Sequence, residues 1–109
     1  MTISELSSLP HFKPIAIPAP TRQISGAYIG DLLSWVMGRA GKDSVWLTIM
    51  SNVNVLAVAS LADVSAVIFT EGVIPDDEII ITAKEIEINL ISTELSSYSA
   101  SKVLATLGI

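Results

Sequence analysis

The chain has 109 residues, enough for one hydrophobic core and too few for two. Half of them are hydrophobic, 16% are charged and the mean hydropathy is +0.61, so part of the apolar surface is expected to meet a second subunit. The net charge of −5, with six scattered basic residues, works against nucleic-acid binding, and the absence of cysteine excludes disulfides, thiolate metal sites and thiol catalysis.

The first 22 residues read as an irregular, proline-rich lead: a short amphipathic turn around Ile3 and Leu6, then Pro10, Pro14, Pro18 and Pro20, which confine any strand between them to a sheet edge. Residues 23–109 read as an α/β domain. Residues 23–29 predict a strand ending at Gly30, and Asp31 a cap for a short helix with the stripe Leu32, Leu33, Val36 and Met37. Residues 44–50 (SVWLTIM) predict a buried strand, residues 53–62 a helix apolar nearly all round, and residues 65–69 (SAVIF) a further strand. Pro75 stands where a first helical residue would, before Asp76, Asp77 and Glu78, with Ile79, Ile80, Ala83 and Ile86 facing inward. Residues 88–91 predict a short strand, and Thr93 a cap for a last helix packed through Ala100, Val103, Leu104 and Leu107. Alternating strands and helices of this length predict a three-layer α/β/α domain whose central sheet is mainly parallel.

No phosphate loop, dinucleotide fingerprint or nucleophile elbow occurs, and the single histidine, His11, excludes a multi-histidine zinc site. No apolar run nears the roughly 18 residues of a spanning helix. The acidic start predicts no secretory signal, which makes the cytoplasm the expected compartment.

In a parallel sheet, ligands bind beyond the carboxyl ends of the strands. Four polar segments are expected there: Gly30-Asp31, Ser51-Asn52-Val53-Asn54, Thr70-Glu71-Gly72 and Ser92-Thr93-Glu94. Among these the Ser51-Asn52-Val53-Asn54 turn is the best cradle for a small anion, although Ser and Asn there also suit ordinary helix capping. Asp31 and Glu71 could share a metal or a proton, but without a nearby His, Lys or nucleophile they define no reaction. Neither a metal nor another cofactor is expected, and a non-catalytic, ligand-sensing role is the reading the residues favour.

The segment GAYIGDLLSWVMG (residues 26–38), then WLTIMSNVNVLAVASLADVSAVIFTEG and a Pro-Asp-Asp-Glu helix start, resembles the DRTGG domain family. That family is similar to the amino-terminal domain of HPr kinase/phosphorylase and, more remotely, to the amino-terminal domain of Mur ligases; it also occurs beside CBS domains in some family II pyrophosphatases. The resemblance implies the same fold, a regulatory role and self-association as a homodimer. The chain departs from the family in having Ser51-Asn52 in place of Asp-Arg, and Thr70-Glu71-Gly72 in place of Thr-Gly-Gly. Two functions follow as expectations: a module sensing a small anionic ligand such as a nucleotide, or binding a protein partner; and a scaffold subunit docked on a larger enzyme without a small ligand.

Overall fold

The computed structural model describes residues 1–109. Along the chain it contains α1 (Ile3–Ser7), β1 (Lys13–Ala16), β2 (Gly26–Ile29), α2 (Leu33–Arg39), β3 (Ser44–Thr48), α3 (Val53–Ala62), β4 (Ala66–Phe69), α4 (Asp77–Glu85), β5 (Leu90–Ser92) and α5 (Ser97–Thr106). The strands form one sheet in the order β1-β5-β4-β3-β2. Strands β2 to β5 are parallel, and β1 closes the sheet antiparallel to β5.

Successive side chains of a strand point to opposite faces, and this alternation divides the core in two. Trp46, Val67, Phe69 and Leu90 face α2, α3 and α4 through Val36, Val55, Leu56, Ala59, Ile79 and Ala83. Val45, Leu47, Ala66, Ile68 and Ile91 face α1 and α5 through Ile3, Leu6, Ala100 and Leu104. The domain is therefore the expected three-layer α/β/α. The near-continuous apolar runs of β3 and β4 follow from being covered on both sides.

The proline-rich lead is more ordered than its composition implies. Thr2 and Glu5 form a reciprocal capping box that starts α1, and Ile3, Leu6, Phe12 and Ala16 are buried. Two polar devices attach the lead to the sheet. The buried Asn89 donates to the carbonyls of Ala19 (2.8 Å) and Ser65 (2.9 Å) and accepts from the Ala19 N–H (2.9 Å). Arg22 is hydrogen-bonded to Asp43 and reaches Asp63 at 3.1 Å.

Several local expectations shift once neighbours are in place. Strand β2 starts at Gly26 and not at Gln23, because the Ile24 N–H donates to the Met1 carbonyl and the Ser25 hydroxyl to that of Lys42. Strand β5 runs to Ser92, in the register set by β4 (Val67 opposite Leu90, Phe69 opposite Ser92). Pro75 lies outside α4, whose cap is Asp76, accepting from the Ile79 N–H. Thr93 does not cap α5; Ser96 does, accepting from the Ser99 N–H. Asp31 does not cap α2 either, whose first turn has no side-chain cap. Leu32, Met37, Ile86 and Leu107, expected to face inward, are exposed. No helix is long and apolar enough to cross a membrane.

Candidate functional site

The carboxyl ends of β2, β3, β4 and β5 lie side by side, which brings the four polar segments to one rim. The strand order of the parallel part is monotonic, so α2, α3 and α4 all cover one face. Only α5 crosses to the other. The chain thus leaves β4 and β5 toward opposite faces, and the point where a strand-end crevice should open falls between Thr70-Glu71-Gly72 and Ser92-Thr93.

Hydrogen bonds lace that point together. The N–H of Glu71 donates to the Leu95 carbonyl (2.8 Å) and that of Gly72 to the Thr93 carbonyl (2.9 Å). The Ser92 hydroxyl donates to the Val73 carbonyl (2.7 Å), Thr70 Oγ1 and Ser97 Oγ share a hydrogen bond of 2.8 Å, and Thr93 Oγ1 accepts from the Leu95 N–H. Thr70, Ser92 and Thr93 are buried, and no pocket opens on the molecule. A ligand entering here has to displace these bonds.

Beside them, Glu94 is paired with His11 of the lead. The hydrogen bond from the imidazole holds the Glu94 carboxyl below the usual carboxylate range, and its own backbone N–H adds to the effect. His11 adopts φ +75, so the lead turns sharply to reach this partner.

The other half of the rim is more open. Asp31 Oδ1 accepts from Thr48 Oγ1 (2.8 Å) and the Ile49 N–H (3.0 Å), tying the end of β2 to that of β3. The Gly30 carbonyl accepts from the Trp46 indole (2.8 Å). Asn52 caps α3 by accepting from the Asn54 N–H (3.0 Å). Its amide N–H groups, the half-buried Ser51 hydroxyl and the exposed Asn54 amide are left to solvent, beside the positive end of the ten-residue helix α3. Asp31 and Glu71 do not converge: β3 lies between their strands, a separation of about 10 Å at two strand spacings. No group of three or more potential metal ligands forms anywhere.

Sequence reasoning did not single out Asn89, Arg22, or the pairing of His11 with Glu94. Each joins segments some twenty or more residues apart, and no local pattern signals such a pairing.

No family model matches the sequence, and no curated protein resembles it. Solved structures do resemble it in fold, among them the CBS and DRTGG domains of the regulatory region of Clostridium perfringens pyrophosphatase, complexed with the activator diadenosine tetraphosphate. That structure matches with a TM-score of 0.62 at 20% identity, covering 84% of this chain and 40% of that one. The two share a fold. This chain spans 40% of the solved one, which includes the domain type that the sequence resembles. The structural neighbour is a regulatory region, not a catalytic one.

Proposed function

We propose that the chain is a regulatory module that senses a small anionic ligand of the nucleotide class at the carboxyl rim of its sheet and carries out no reaction itself. The observation that carries this reading is the fold it shares with a regulatory region solved with a nucleotide activator. The local geometry supports it: the Ser51-Asn52-Val53-Asn54 turn offers unpaired donors at the amino end of α3, where backbone N–H groups favour an anion. Neither the turn nor the remaining rim segments contain Lys or Arg, and Asp31, Glu71 and Glu94 are acidic. Binding here would rest on amides and hydroxyls, and added salt would strengthen it by screening those acids.

Thermal unfolding with diadenosine tetraphosphate, ATP, AMP and phosphorylated sugars tests the reading. A ligand at about 100 times its Kd adds about 2.7 kcal/mol, a shift of several degrees in a domain of this size. The expected result is such a shift with at least one nucleotide, reduced by Ser51→Ala and Asn54→Leu together. No shift with any of them refutes it. The second reading, a scaffold subunit without a small ligand, draws support from the laced β4/β5 junction. Stoichiometric co-purification of a larger enzyme, with no thermal shift, would favour it.

A further inference from the structure

Two segments close the junction between β4 and β5, and the lead holds one of them. From β4, the turn Glu71-Gly72 donates both of its backbone N–H groups to the segment after β5, Glu71 to the Leu95 carbonyl and Gly72 to that of Thr93. The residue between those two carbonyls is Glu94, and its carboxylate is paired with His11. His11 is fixed by its neighbours. Leu9 and Phe12 pack in the second core, the Phe12 N–H donates to the Leu9 carbonyl (3.3 Å), and β1 then starts at Lys13, opposite Ser92. Residues 93–95 are thus gripped between the turn of β4 and the lead. Both grips use backbone that resists them: Glu71 (φ +59) and His11 (φ +75) are non-glycine residues in the left-handed region. Such residues persist where surrounding contacts hold them, and they gather at switch segments.

We infer that the lead is an autoinhibitory strap: with His11 seated on Glu94, it holds residues 93–95 against Glu71-Gly72 and keeps the strand-end crevice shut until that segment lifts. Lifting gives up the two main-chain bonds, frees the backbone at Glu71 and His11, and withdraws Leu95, which is only partly buried, from the second core. The parallel ladder between β4 and β5, from Val67 opposite Leu90 to Phe69 opposite Ser92, stays paired beneath it. What the opening admits rests on the ligand reading above; the strap itself does not.

Amide hydrogen exchange of the full chain tests the strap without any ligand. The Glu71 and Gly72 N–H groups are expected to exchange together and faster than that of Val67, which is bonded to the Asn89 carbonyl inside the sheet and reports global unfolding. His11→Gly removes the imidazole and suits the left-handed backbone, and Glu94→Gln removes the charge. Each is expected to quicken exchange at Glu71 and Gly72 by about two- to fivefold, the range of an exposed ion pair, although neither substituted side chain bonds to either amide. A pair that only steadies the lead would move the Phe12 N–H and leave Glu71 and Gly72 as they were. Exchange at these two no faster than at Val67, or unmoved by both variants, overturns the inference. Calorimetric titration with ATP and with diadenosine tetraphosphate then separates the strap from the ligand reading. If either binds, His11→Gly is expected to lower its Kd by the same factor, because a larger share of the molecules stands open; an equal Kd in the two chains overturns the inhibitory role. If neither binds to either chain, the ligand reading falls and the exchange rates decide the strap alone.

Discussion

Glu71 and Gly72 turn the chain out of β4 with two successive left-handed residues, at φ +59 and +75. Gly72 adopts this conformation freely, whereas a side chain at Glu71 costs about 1 kcal/mol through its Cβ. The Glu71 carboxylate makes no hydrogen bond that would offset the cost; only its backbone N–H is engaged, with Leu95. Glu71→Gly is therefore expected to stabilise the fold by about 0.5 to 1 kcal/mol in urea unfolding, and a loss of stability would show that the turn is relaxed as it stands. A glycine here is also what the resembled family's Thr-Gly-Gly places at this position. A second residue-scale expectation concerns Glu94, whose pKa is lowered by His11. A lowered carboxylate pKa contributes stability above the unfolded-state value and loses it as the pH falls through the folded one. Carboxyl NMR titration is expected to place Glu94 below ordinary glutamates and to move it upward in His11→Ala; an unchanged value would detach the pair.

At the level of elements, the connection between lead and sheet is concentrated in Asn89, which satisfies three groups in a buried setting. Asn89→Ala leaves the Ala19 N–H and two carbonyls without that partner, a loss of about 3 kcal/mol in denaturant unfolding. A change within a few tenths of a kcal/mol would mean that water takes its place. The regular elements were legible because their signals are local: α3 runs over Val53–Ala62 as its composition indicates, and the apolar runs of β3 and β4 are where both faces are covered. The caps were not, because several candidates stand in a row. Thr93, Ser96 and Ser97 all suit a cap, and the choice of Ser96 depends on Thr93 receiving the Leu95 N–H instead. Asp31 likewise resembles a cap, but Thr48 at the end of β3 and Ile49 just after it occupy the oxygen a cap would use.

For the whole molecule, layer order and parallel pairing were legible from the alternation of elements, and the rim from the rule that polar turns gather at strand ends. What was not legible is how far the rim is closed. The lacing of β4 to β5 depends on which strand sends its helix to the opposite face, and that is decided by where α5 packs. In the lead, the amphipathic turn at Ile3 and Leu6 and the edge placement of any strand were legible, but how its apolar groups complete the second core through contacts with α5 and β5 was not. This connectivity bears on synthesis. Strand β1 is made early, yet its one strand neighbour is β5, with Lys13 opposite Ser92. On the ribosome, Ile3, Leu6 and Phe12 emerge long before the surface that covers them exists, while the parallel units β2 to β4 can assemble as they appear. The nascent chain therefore carries this apolar segment uncovered until β5 and α5 have been made, and over that interval it offers a chaperone something to hold.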